Sequence, residues 1–318
     1  MKRSMQTMGE DRREFKFMGN DNILLKRQND PHRPVLENRV AYQWESHQDM
    51  LEYRNNIKRD NIILKWLAEA VRSSSQPVAV LDVGCAYGNM LLLLNALLNK
   101  PSNVELIGVD IYEESLEFGR AFAERVPGYR NCKFQVADLS HSLPFDDATF
   151  GVISICDVLE HMENPRGALK EIIRVAKPDA VVIICTPLRN SAFKILARAA
   201  NYLSGGRLFK LYYTGKGAEL DKNGKPIMPT KAGSHGHISE MSWKELKELV
   251  IRSGLEIEQG QMMPIMIGSR LFDKHGFLLS ALLFLEAMHD VLQRPSWAHS
   301  VCMKLKVPTN LKKGINND

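Results

Sequence analysis

The chain of 318 residues lacks an apolar run long enough to span a bilayer. Its longest uncharged stretch of that kind, Phe277 to Leu285, falls well short of the ~20 residues a crossing helix needs. The basic N-terminus (MKRSMQTMGEDRREF) has no apolar segment behind it, so neither secretion nor a membrane span is expected. The five cysteines, Cys85, Cys132, Cys156, Cys185 and Cys302, include no Cys-x-x-Cys pair and no histidine at zinc spacing. No metal site is therefore expected, and a reduced, cytoplasmic setting fits best. Cys156 and Cys185 lie in apolar runs and read as small core hydrophobes, and no cysteine is assigned to catalysis. There is no repeat and no low-complexity tract. A net charge of +5 is too small to announce nucleic acid. It is also uneven: residues 191–236 hold eight Lys or Arg against Glu219 and Asp221, an excess larger than that of the whole chain.

What is present is an alternation of apolar strands and amphipathic helices. Residues 1–38 are polar and without sustained periodicity and read as a poorly ordered leader; residues 39–75 carry apolar positions at helical spacing and read as an N-terminal helical cap. Strands are expected at Val78–Asp82, Glu105–Asp110, Cys132–Val136, Gly151–Cys156 and Ala180–Thr186, with helices at Asn89–Leu98, Glu113–Val126 and Pro165–Val175, the last with proline in its first turn. Runs this rich in Val and Ile suit strands buried on both faces. The pattern predicts a doubly wound, Rossmann-like, mostly parallel α/β sheet of seven strands with helices on both faces, binding its ligand beyond the carboxyl ends of the strands. This core spans 76–190. After an insertion at 191–236 that reads as a lid, residues 237–318 resume the sheet: Ser242 and Glu245 form a capping box for a helix to Ser253, and Leu255–Met262 and Ser300–Val307 supply the last two strands around an apolar helix at Phe277–Leu292.

The strongest local signal is Val80-Leu81-Asp82-Val83-Gly84-Cys85-Ala86-Tyr87-Gly88-Asn89, where the first strand hands over to the first helix. So tight a turn needs glycine where φ is positive, and it brings backbone N–H groups to an anion at a helix N-terminus. Asp110 closes the second strand, where an acid in such folds takes ribose hydroxyls; the bland alternative is a solvated strand end. Ile111 would offer an apolar face to a base, and Asp138 in Val136-Ala137-Asp138-Leu139 would accept from its amino group. Beyond the fourth strand lies Cys156-Asp157-Val158-Leu159-Glu160-His161-Met162. A nicotinamide dinucleotide would need Gly-x-Gly-x-x-Gly, whereas the loop reads Gly84-x-x-x-Gly88.

This order of motifs, over about residues 76–190, resembles the type 11 branch of the class I S-adenosylmethionine-dependent methyltransferases, which includes ubiquinone and menaquinone biosynthesis enzymes. The resemblance implies an S-adenosylmethionine site made by Asp82, Gly84, Cys85, Ala86 and Gly88, with Leu139 and Asp157 also among the donor-binding residues, ribose on Asp110, adenine near Ile111 and Asp138, and the Leu159-Glu160-His161 segment facing the reactive methyl. The family usually has glycine at the position of Ala86, so a methyl there calls for a negative φ.

Methyl transfer to a hydroxyl needs orientation, desolvation and a base. His161 is the candidate base, its alternative being a helix-terminal histidine bonded to backbone. His235 and His237, in Gly233-Ser-His-Gly-His-Ile, are further candidates for base or orienter, or have neither role. The acceptor is expected to be a small molecule or a group carried on a glycan or lipid, reached by O-methylation. The basic, aromatic insertion reads either as a lid packed on the sheet or as a receiver for an anionic or lipid-linked acceptor, with peripheral membrane contact. Its interleaved charges and aromatics keep RNA open, but the chain has neither the Asn/Asp-Pro-Pro-aromatic element of exocyclic amino methyltransferases nor a Pro-Cys nucleophile. A protein acceptor and a non-catalytic scaffold or regulatory protein on the same fold stand as alternatives. Oligomeric state is not encoded.

Overall fold

The computed structural model describes residues 50–74, 76–99, 101, 103–189, 195, 199, 201–207, 219–220, 226–227, 238–263 and 276–310. Helix α1 (Met50–Ser73) leads into β1 (Val78–Val83), α2 (Asn89–Leu97), β2 (Val104–Asp110), α3 (Glu113–Arg125), β3 (Cys132–Val136) and β4 (Phe150–Cys156). A 3₁₀ turn, Leu159–His161, precedes α4 (Pro165–Val175) and β5 (Ala176–Pro187). Two short strands of the insertion, β6 (Glu219–Leu220) and β7 (Pro226–Ile227), pair with each other; α5 (Trp243–Arg252), β8 (Glu256–Met263), α6 (Gly276–Leu292) and β9 (Ser300–Lys306) follow.

The main sheet has seven strands in the order β3-β2-β1-β4-β5-β9-β8, parallel from β3 through β5, with β9 antiparallel to both of its neighbours. The predicted doubly wound sheet is therefore present. The strand order reverses on either side of β1, which opens a crevice at the carboxyl ends of β1 and β4 where such sheets bind ligands. Asp82 near the end of β1, Asp110 at the end of β2 and Asp157 just past β4 all stand on that edge.

Each face of the sheet carries its own core. One gathers Ile63 and Leu67 of α1, Leu91 to Leu94 of α2 and Phe122 of α3 against Val80, Leu106 and Ile183; the other gathers α4 and α5 against Leu81, Ile153 and Val182. Four consecutive buried leucines in α2 show that this helix is covered all round, each contributing about 1.5–3 kcal/mol relative to exposure. The caps follow the sequence. Asn164 accepts from Gly167 N–H ahead of Pro165, and Ser242 and Glu245 form the reciprocal capping box of α5. Strand β5 begins earlier than expected, at Ala176, because the chain passes straight from α4 into pairing with Phe150. Cys185 and Cys302 face each other across β5 and β9, fully buried, in keeping with a packing role.

Candidate active site

The loop from β1 to α2 is shaped by three left-handed residues, Gly84 (φ 73°), Ala86 (φ 46°) and Gly88 (φ 73°). A Cβ on Gly84 would meet Val158 Cγ2 at 2.3 Å, and one on Gly88 would meet the Phe134 ring at the same distance. Glycine is needed at both positions for the φ and for the space. Gly88 caps α2 without a side-chain partner, so the first turn of that helix presents its N–H groups to the loop. Ala86 overturns the expectation of negative φ. Its N–H donates to Asp110 Oδ2 at 2.9 Å, while Tyr112 N–H donates to Oδ1 at 3.0 Å. Asp110 thus clamps the loop from across the crevice and holds alanine in a conformation costing about 1–2 kcal/mol. Each carboxylate oxygen keeps acceptor capacity for a hydroxyl.

Beneath the loop, Asp82 is almost wholly buried and accepts from Ser154 Oγ at 2.6 Å. Burial pushes its carboxyl up to about 7, with the nearby Asp110 and Asp60 adding to the rise and Ser154 opposing it. Arg59, reaching down from α1, donates to Asp157 Oδ2 at 2.6 Å and to Asp60. Burial works against its charge, but Asp157 and Asp60 outweigh that and hold the guanidinium firmly protonated. With Asp157 and Asp60 on Arg59, and Asp82 close to Asp110 and Asp60, carboxylates outnumber the guanidinium, and such a crevice favours a cationic ligand.

On the β4 and β5 side, Glu160 is buried and accepts from Thr186 Oγ1 at 3.0 Å. Its neighbour His161 is partly exposed, with Nε2 3.9 Å from Glu160 Oε1. The carbonyl of Glu160 accepts from Ile238 and Ser239 N–H, and Ser239 Oγ donates to Met162 O, so the chain returning from the insertion is pinned beside this histidine.

A profile of the methyltransferase domain family matches residues 74–245, more than half of the chain. The chain belongs to the methyltransferase domain family. It is 36% identical over 100 residues to YcgJ, an uncharacterized methyltransferase of Bacillus subtilis, covering 31% of this chain and 37% of that one. It is 32% identical over 123 residues to the demethylmenaquinone methyltransferase of Clavibacter sepedonicus, covering 38% of this chain and 46% of that one. The alignment thus spans less than half of either relative. A solved structure titled as a putative sarcosine dimethylglycine methyltransferase from Galdieria sulphuraria superposes with a TM-score of 0.53 at 13% identity, over 86% of this chain and 98% of that one, and shows the shared fold.

The residues present fit the methyl donor of this family. A glycine-lined cradle that a Cβ would fill suits its methionyl carboxylate, and a crowded, buried Asp82 suits a group that brings positive charge. Of the expected donor residues, Asp82, Gly84, Ala86, Gly88 and Asp110 come together around this crevice, and Ile111 is exposed on its rim. Cys85 turns its thiol inward beside Gly108, and burial pushes that thiol up, so only its backbone faces the loop. Leu139 likewise sends its side chain into the core. Asp138 stands on the rim but is engaged locally: burial opposes its ionisation, and the bonds from Ser140 N–H and His141 more than offset that and hold it below the usual carboxylate range. Asp157 (φ 56°) is committed to Arg59. His235 and His237 lie outside the described residues.

Sequence reasoning missed Arg59, Ser154, Thr186 and Asp60. Ser154 had a signal, being the one hydroxyl in the apolar strand Phe150-Gly-Val-Ile-Ser-Ile-Cys, in register with Asp82 on the neighbouring strand. Arg59 had none, because its partner lies 98 residues away.

Proposed function

We propose that this methyltransferase acts on a hydroxyl of a small-molecule acceptor, free or attached to a lipid or glycan, that sits over the carboxyl ends of β4 and β5. The single observation carrying this reading is the position of His161, partly exposed beside buried Glu160 and directly after the loop that packs on Gly84. S-adenosylmethionine, when bound, supplies a methyl on a sulfonium that leaves readily. The loop of Gly84 to Gly88 and Asp110 would hold its amino acid and ribose parts, with Ile111 beside the base. Asp82, ionised once a positive group lies near it, would fix the donor's orientation. His161 would take the acceptor's proton, and Glu160 would hold the imidazole through charge. Thr186 in turn anchors Glu160. The relative named for demethylmenaquinone supports an acceptor of the small-molecule class.

His161→Ala is the direct test. Affinity for S-adenosylhomocysteine should stay within about twofold while turnover of a phenolic or quinol acceptor, followed with labelled donor, falls by about 10²–10⁴-fold. Unchanged turnover removes His161 from the mechanism.

A further inference from the structure

The pairing of β5 with β9 sets two thiols against each other in the middle of the sheet. Cys185 of β5 stands directly opposite Cys302 of β9, and on its other flank it is in register with Cys156 of β4. Leu188 N–H donates to His299 O at 2.7 Å and Val307 N–H to Ala180 O at 2.9 Å, each between directly opposed residues of the antiparallel pair. Hydrogen-bonded pairs alternate along such a ladder, so counting in from either end leaves Cys185 and Cys302 in a pair without backbone bonds between them. In pairs of that kind the Cα atoms lie about 4.5 Å apart and the side chains come closest, inside the window of about 4.4–6.8 Å that a disulfide spans. The two Sγ atoms are 3.0 Å apart, and both thiols are free. Closing to a bonded length of about 2.05 Å asks for a shift of about 1 Å shared between two side chains.

Both cysteines are fully buried, in the core that Ile63 and Leu67 of α1 help to cover, and Arg59 of the same helix lies near both sulfurs. Burial pushes the Cys302 thiol well above its ordinary range, and Cys185 beside it adds to the rise. The thiolate that oxidation needs therefore forms only when this cover opens, which makes the first step slow. The second step has no such delay, because the partner sulfur is already in contact. A link here would join positions 117 residues apart in sequence and fasten β9, with β8 on its far edge, to the parallel part of the sheet. A cross-link between residues so distant along the chain restricts the unfolded ensemble far more than the native one.

We propose that Cys185 and Cys302 form an oxidation site, at which a peroxide converts the dithiol to a disulfide that locks β9 onto β5. The Sγ of one cysteine, as thiolate, attacks a peroxide oxygen; the O–O bond breaks, the other oxygen leaves as water, and a sulfenic acid remains. The second Sγ attacks that sulfur, the S–S bond forms, the S–O bond breaks and a second water leaves. Two electrons pass from the sulfurs to the peroxide. The test incubates the full chain with a small excess of hydrogen peroxide, counts free thiols after denaturation, and maps the peptides by mass spectrometry without reductant. Two of the five free thiols should disappear, and Cys185 and Cys302 should be recovered in one linked species. The urea midpoint should rise, and dithiothreitol should reverse all three changes. Cys302→Ala should keep its remaining thiols and an unmoved midpoint under the same treatment, with a cooperative unfolding transition to show that it is folded. A wild type that keeps its five thiols overturns the site, as do thiols lost without a link and a link from Cys185 to Cys156. Thiol loss in Cys302→Ala equal to that of the wild type also overturns it, and a link that fails to raise the midpoint overturns the lock.

Discussion

Asp82 is where the electrostatics of the crevice are most readable. In the free protein its carboxyl titrates near 7, mainly because it is buried and secondarily because Asp110 and Asp60 lie close. A donor carrying positive charge favours the ionised form, so affinity for S-adenosylmethionine should fall as pH drops below about 7, by up to tenfold per unit. Titrations from about pH 5.5 to 8.5 should show this slope for the wild type, and Asp82→Asn should flatten it. The sign for stability is opposite. The folded carboxyl keeps its proton where the unfolded one has lost it, so the ligand-free protein loses stability as pH rises from about 4 to 7, and Asp82→Asn removes that loss. Ala86 makes a second test at this scale. If its left-handed φ is held only by the clamp from Asp110, then Ala86→Gly should raise stability by about 1 kcal/mol in denaturant unfolding. A destabilised variant would mean that the methyl contributes packing that outweighs the strain.

Helices α1 and α5 show how whole elements hold the site. Through Arg59, α1 is tied to Asp157 at the end of β4, and its lower half is buried against the sheet at Ile63 and Leu67. Arg59→Leu should lower donor affinity and reduce hydrogen-exchange protection along α1, since Asp157 then has no partner in a crevice already rich in carboxylates; unchanged protection would show that apolar packing alone seats the helix. For α5, Ser242→Ala removes the hydroxyl of the capping box and should cost about 1 kcal/mol. The capping box, the proline-started α4 and the strand-to-helix handover at Asp82 to Asn89 were all legible in the sequence, because each is a local pattern whose partners lie within a few residues. The Arg59–Asp157 pair, the Ser154–Asp82 bond and the clamp of Ala86 by Asp110 were not, because each joins elements that only the assembled sheet brings together. The φ of Ala86 was misread for the same reason: an intrinsic preference was overridden by a tertiary hydrogen bond.

For the molecule as a whole, the sheet order creates one crevice and the chain spends its chemistry there. The β2 and β1 half carries the cradle, Asp110 and Ile111; the β4 and β5 half carries His161, Glu160 and Thr186; and the excursions after β5 and β8 rise from the same rim. Under the proposed reading, donor and acceptor roles divide across the reversal in strand order. Calorimetric titration of the purified protein with S-adenosylhomocysteine tests the central claim most directly. One saturable site per chain, weakened at least tenfold in Asp110→Ala, is the predicted result. The absence of saturable binding by the wild type would contradict it.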